Sequence, residues 1–310
     1  MAETARGPNR DWRLWYKAAY GVFMGMNDTN LGLISAGVAF YGMLAIFPSV
    51  AAIIAIWGFF ANPIDVQAQL EMLRGFVPRD AYLILETQVQ SLVSANSSTL
   101  GWATAISLSA ALWSSRAGVA ALIRGLNAIY REKNRLGLRE IAAAFGVTFL
   151  LIGVSLVALA CVVVMPIVMV ILPLGPITTM LIAGMRWTIA ILVVVTALGV
   201  IYRYGPNRRH ARAGWLTPGA IVAVIIWAAI SWAFSFYITN FGNYNEVYGA
   251  LGAVIALLMW LYLSAYSVLI GASLNAELEL RTEGDTTVGP PQPMGQRSAT
   301  VADGLVQDAD

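Results

Sequence analysis

Groups able to do acid-base, nucleophilic or metal chemistry are scarce in this 310-residue chain. Its one histidine, His210, sits in the basic run Arg208-Arg209-His210-Ala211-Arg212, with no Cys, His or carboxylate spacing to complete a metal site. A Ser/His/Asp arrangement would have to draw on the same histidine. Lys17 and Lys133 are the only lysines, and neither follows a glycine-rich loop, so the chain has no Walker A phosphate cradle. The lone cysteine, Cys161, lies in an apolar run and reads as a small hydrophobic side chain. These residues predict no catalytic centre, no metal and no cofactor.

Polar groups embedded in apolar sequence are the remaining candidates. Arg116 follows Ser114 and Ser115, and Arg186 stands alone in a second apolar run. A charge at the bilayer centre costs a few kcal/mol or more, so such residues face protein or water, or reach an interface. Two readings stay open for both arginines: a role toward substrate, or snorkelling and structural ion pairing. Arg116 lies eight residues before Arg124, about 12 Å along a helix, within reach of one interface. Membrane depth makes Glu277 the candidate partner of Arg116, and Glu246 that of Arg186. A further stripe, Gly249, Ala253, Ala256, Trp260, Ser264, Ser267, Gly271 and Asn275, recurs every three or four residues. It predicts a helix-packing seam with interhelical hydrogen bonds, the alternative being a hydrophilic path. Asn127 completes the set of candidate polar residues.

The elements that must position these groups are transmembrane. The sequence is 58% hydrophobic and only 12% charged, with mean hydropathy +0.69. An ordinary soluble domain carries roughly twice that charge. Runs of about 20 apolar residues, enough to cross a hydrocarbon core of about 30 Å, occur at 31–60, 100–123, 141–172, 179–202, 215–240 and 248–275. The predicted fold is therefore an all-α polytopic membrane protein of six transmembrane helices. Pro48 interrupts the first run, and Pro173-Leu174-Gly175-Pro176 makes a tight turn after the third. Residues 61–99 carry Val66, Leu70, Leu73 and Val77, then Leu85, Val89 and Leu92, at helical spacing. They predict amphipathic helices capping the outer face.

Residues 1–30 form a segment of their own. Arg6, Arg10, Arg13 and Lys17 stand among Trp12, Trp15, Tyr16, Tyr20 and Phe23. From Asp11 onward this reads either as an amphipathic helix in the membrane interface or as a juxtamembrane segment packed on the protein itself. Residues 281–310, with Gly289-Pro290-Pro291-Gln292-Pro293, show no apolar periodicity and predict a disordered tail.

Orientation follows from the basic residues. Fifteen of 19 Lys and Arg residues fall in the N-terminal segment, the second and fourth loops and the tail, against two, Arg74 and Arg79, in the alternate loops. The positive-inside rule puts both termini in the cytoplasm. The same rule accounts for the basic loops without nucleic acid, which is not an expected partner.

Several of these segments also resemble a known family. Ala39-Phe40-Tyr41 with Phe47-Pro48, Leu112-Trp113-Ser114-Ser115-Arg116-Ala117-Gly118, and Gly125-Leu126-Asn127-Ala128-Ile129-Tyr130 are similar to the YihY/BrkB family of bacterial inner-membrane proteins. So is the stretch from Tyr248-Gly249-Ala250-Leu251-Gly252-Ala253 through Trp260-Leu261-Tyr262 to Gly271-Ala272-Ser273-Leu274-Asn275-Ala276-Glu277. The likeness covers roughly residues 25–280 in the family's order. Ser273 departs from it, since the family carries an acidic residue there; any ion pair of that acid is then absent or moved to Glu277 or Glu279. The resemblance implies an inner-membrane, envelope-related protein, with serum resistance and lipid traffic among its relatives' roles. A ribonuclease label in that family finds no support in these residues, because phosphodiester cleavage needs metal-binding carboxylates or acid-base histidines in water. The expected function is transport or flipping of a lipid or other amphiphile, the alternative a structural scaffold of envelope biogenesis. Membrane lipids are the expected partners, with a homo-oligomer or other envelope proteins besides.

Overall fold

A computed structural model describes residues 12–60, 97–171, 176–208, 216–241, 250–282, 292–293, 295–297 and 299–304. The described elements are α-helices: α1 (Trp12–Asp28), α2 (Leu31–Phe60), α3 (Ser97–Ile129), α4 (Leu138–Ile171), α5 (Pro176–Tyr204), α6 (Pro218–Phe241), α7 (Ala250–Leu280) and the single turn α8 (Thr300–Asp303). The expected cap over 61–99 lies outside the described residues, except that its last residues, from Ser97, open α3.

Five of these helices, α2, α3, α4, α6 and α7, carry stretches long and apolar enough to cross a membrane; in α5 the described apolar stretch is Ile191–Tyr204. Within the five stretches only 17–28% of residues are buried inside the protein. Phe149, Leu156, Ile225, Trp232 and Phe236 are among the apolar side chains left on the outside. Surface of that kind is stable only against hydrocarbon, where each backbone polar group must be satisfied within its helix. Threonines inside the helices obey the same constraint: Thr148, Thr188 and Thr196 each donate to the carbonyl four residues back.

The chain gathers into two compact units, one of Met1–Ala39 with Val119–Asp310 and one of Phe40–Gly118. In the first, a single core joins one end of five long helices. It takes Leu31 from α2, Leu122 and Leu126 from α3, Leu198 and Ile201 from α5, Ala220 and Ala223 from α6, and Leu269, Ala272 and Leu280 from α7. Ala144 and Val147 of α4 close a second cluster with Ala120 and Ile123. Helices α2, α4 and α6 begin near this end, and α3, α5 and α7 finish near it. The second unit holds the rest of α2 and the first part of α3, with Phe40 set edge-on against Tyr41 and Pro48 inside the continuous helix α2.

Two helices run further than the hydropathy suggests. α3 continues past residue 123 to Ile129 and α7 past 275 to Leu280. The cause is amphipathicity: Arg124 stays exposed while Leu122, Leu126 and Ile129 are buried on the opposite side of the same turns. The expectation of a wholly disordered tail also needs correcting. Val301 in α8 is fully buried in the main core beside Leu280. Asp303 Oδ1 accepts from the backbone N–H of Gly295 and Arg297, and Glu132 accepts from the N–H of Thr300. One valine and these caps hold a piece of chain whose composition is otherwise that of a tail.

Helix α1 packs on the protein itself, the second of the two readings of the N-terminal segment. Ala18, Val22 and Met26, four residues apart, pack on Ile270, Leu274 and Leu278 of α7. Its aromatic face points away from that contact, with Trp12, Tyr16, Tyr20 and Phe23 each more than half exposed.

Candidate functional site

The polar residues of the first unit converge where the α3–α4 and α5–α6 connections meet the end of α7. Asn127 is almost fully buried. Its amide donates to Asn134 Oδ1 at 2.9 Å, and its carbonyl accepts the backbone N–H of Asn207 at 2.7 Å. Asn207 in turn donates to the Lys133 carbonyl at 2.9 Å. Arg135 forks onto the carbonyls of Gly205 (2.7 Å) and Pro206 (3.0 Å), which ties one connection to the other. Partial burial lowers the Arg135 pKa. A planar fork suits this task, because the carbonyls that end a helix have no intrahelical donors.

A second cluster lies beside the first. Arg208 Nη2 meets Glu279 Oε1 at 2.5 Å, and both side chains are about nine-tenths buried, with 9% and 11% of their surface exposed. The guanidinium sits 4.4 Å from the ring centre of Tyr130, a cation–π geometry. Burial raises the Tyr130 pKa to about 12; Arg208 and a hydrogen bond with Asn275 oppose that shift, and Glu279 adds to it. The phenol is therefore neutral throughout the physiological range.

Asn275 works as a clamp between α6 and α7. Its Oδ1 accepts the N–H of Gly219 at 2.8 Å and its Nδ2 donates to Thr217 Oγ1 at 2.9 Å. Thr217 also caps α6 by accepting from the Ala220 N–H, just before Pro218 at the first helical position. Gly219 and Gly271 face each other so closely that a Cβ on either would overlap the other's carbonyl oxygen. Trp260 Nε1 reaches Ser231 of α6 at 3.3 Å, and Ser267 is buried, donating to the Ser264 carbonyl at 2.8 Å. Trp260, Gly271 and Asn275 of the small-residue stripe thus face α6.

The other sequence candidates are distributed differently. Glu277 pairs with Arg281, four residues on and just past the end of α7. With Glu279 on Arg208, both acids that the Ser273 departure singled out carry ion pairs, while Ser273 itself is buried. Ser114, Ser115 and Arg116 are half-buried in the second unit. The Arg116 guanidinium lies 4.5 Å from the Trp113 ring centre. Trp113 is three residues earlier, so Arg116 points toward the α3 N-terminus and away from Arg124. Helix side chains lean that way intrinsically. Arg186 belongs to α5, but its side chain is outside the described set, as is all of Glu246.

Sequence reasoning missed Tyr130, Asn134, Arg135, Asn207, Arg208 and Thr217. It absorbed the arginines into the orientation signal and passed over short polar residues in loops. A usable signal does exist: Asn207 follows Gly205-Pro206 and Thr217 precedes Pro218, positions where side chains satisfy open helix ends.

Around Asn127 a narrow surface crevice, without room for a bound ligand, is lined by Ala120, Ile123, Arg124, Arg135 and Glu140 among others. Arg124 bridges to Glu140 across it at 2.7 Å. Among the described residues no group of three His, Cys, Asp or Glu gathers as a metal site would need.

Apolar helices with a polar, basic core at one end define a polytopic α-helical membrane protein. A family model described as Virulence factor BrkB matches residues 22–295, so the chain belongs to that family. It is 28% identical over 264 residues to the ribonuclease-like protein YfkH of Bacillus subtilis (strain 168), covering 80% of this chain and 90% of that one. It is 42% identical over 101 residues to a UPF0761 membrane protein of Xanthomonas axonopodis pv. citri (strain 306), a match spanning 31% of this chain and 23% of the relative. A UPF0761 membrane protein of Xanthomonas oryzae pv. oryzae (strain PXO99A) is 41% identical over the same length. No solved structure matches.

Proposed function

We propose that this chain is a six-span inner-membrane protein with both termini cytoplasmic, which moves or flips an envelope lipid or another amphiphile with an anionic head. One observation carries this reading. Arg116 sits near the middle of the apolar stretch Ala105–Ile129 of α3, beside Ser114 and Ser115. It is thirteen residues, about 20 Å, from the helix end that joins the core, and it points the other way, over Trp113. A cation kept at that depth is expensive and marks a pathway for polar groups. The arginine fork and serine hydroxyls suit phosphate or carboxylate oxygens.

The test is reconstitution of the full chain in liposomes with fluorescent phospholipids. Arg116→Ala should slow lipid translocation about tenfold or more, equivalent to roughly 1.4 kcal/mol of barrier. A rate unchanged by Arg116→Ala and by Ser114→Ala would remove this reading.

A second reading, a non-transporting scaffold of envelope biogenesis, draws on the other end of the chain's helices. Asn127, Arg135, Arg208 and Asn275 spend their donors on neighbouring loops and helix ends, which suits a rigid platform. Translocation equal to protein-free liposomes, with native partners recovered by cross-linking in cells, would favour it. The ribonuclease-like name is that of YfkH and supports neither reading of this chain.

A further inference from the structure

We infer that the outward face of α1 is a lipid-binding surface: it lies in the membrane interface and its basic edge reads the anionic headgroups of the adjacent leaflet. The argument begins with where α1 is held. Two residues, Thr29 and Asn30, join it to α2. Asn30 takes the left-handed conformation (φ 52°), and Thr29 Oγ1 closes the turn on the Gly25 carbonyl at 2.8 Å. So short a link spans at most about 10 Å between helix ends, which keeps the C-terminus of α1 at the mouth of a membrane-crossing helix.

Its roll about its own axis is fixed as well. Ala18, Val22 and Met26 are seated on α7. At Gly21 the absent side chain leaves room for the Glu277 carboxylate and the Arg281 guanidinium. With that side occupied, the opposite face presents Trp12 (71% exposed), Tyr16 (66%), Tyr20 (54%) and Phe23 (68%) at spacings of four, four and three residues. Amphipathic rings at that spacing match headgroup depth, where Trp and Tyr place an apolar body against acyl chain and a polar edge in water. Arg13 and Lys17 are exposed along one flank of the stripe, and the sole acid of α1, Asp28, stands at its far end. Positive charge flanking an aromatic face selects an anionic lipid surface over a zwitterionic one. The inference holds whether the protein transports or only scaffolds.

The full chain carrying Cys161→Ser would receive single nitroxide labels at Tyr16→Cys and Tyr20→Cys. Leu136→Cys, in the exposed α3–α4 connection, gives the aqueous reference, and Phe149→Cys, on the exposed apolar face of α4, the lipid one. Accessibility to oxygen and to a water-soluble nickel chelate is read by power-saturation EPR in vesicles of phosphatidylcholine with and without one-third phosphatidylglycerol. The labels at 16 and 20 should fall between the two references and shift toward the lipid value when phosphatidylglycerol is added. The pair Arg13→Gln and Lys17→Gln should abolish that shift. Three outcomes would overturn the inference: labels as water-accessible as Leu136→Cys, readings identical in both vesicles, or dipolar broadening between labels, which would mean that a second copy covers the face.

Discussion

At the scale of single residues, the buried ion pair sets the sharpest test. Arg208 and Glu279 are both about nine-tenths buried at 2.5 Å, and removing one partner leaves the other charged and desolvated. Such truncations cost roughly 3–5 kcal/mol, whereas replacing both partners by apolar residues of similar volume is often near neutral. Arg208→Ala should therefore sharply lower the melting temperature of the detergent-solubilised protein, and Arg208→Leu with Glu279→Leu should recover most of the loss. Additive losses would show that the two side chains act separately. Asn127 and Asn275 were legible in the sequence because a lone amide in an apolar run needs partners. Their partners were not legible, since Asn134, Asn207 and Thr217 are ordinary loop residues until the loops are brought together.

At the scale of elements, the α6–α7 contact depends on Gly219 and Gly271. Each occupies the space that the other's carbonyl requires, an approach that only small residues allow in helix pairs. Gly271→Leu should separate the helices, break the Asn275 clamp and lower the melting temperature more than a leucine at Gly37, where an added Cβ meets nothing within 4 Å. Thermal unfolding followed by size-exclusion chromatography checks the order of the two. Hydropathy alone located α2, α3, α4, α6 and α7, because an apolar run of that length has no soluble alternative. It stopped short of the C-terminal ends of α3 and α7, where Arg124, Glu277 and Glu279 read as loop although one face of each last turn is buried. Helix α8 was beyond it altogether, since nothing local distinguishes Val301 from the rest of a polar tail.

At the scale of the whole molecule, charge placement is the governing quantity. Arg131, Lys133, Arg135, Arg139, Arg203 and Arg208 all lie in or beside the connections that meet at the common core. If that end is cytoplasmic, Leu136→Cys in a Cys161→Ser background should resist a membrane-impermeant maleimide in intact spheroplasts and react after lysis. A C-terminal alkaline phosphatase fusion should be inactive. Labelling of Leu136→Cys in intact spheroplasts would reverse the proposed orientation.

The sequence alone determined the solvent and, through it, the architecture. With so little charge and such long apolar runs, helices in a bilayer are the state that satisfies every backbone polar group. It also marked Arg116, Asn127 and Asn275, because polarity inside an apolar run stands out without any fold. Only the tertiary structure decided which side chains meet. It joined Arg208 to Glu279 across 71 residues of chain and turned one face of α1 onto α7. It also directed Arg116 back over Trp113. The physical reason is that composition and hydropathy sum over a chain locally, whereas ion pairs, clamps and close glycine contacts depend on distances between segments far apart in sequence.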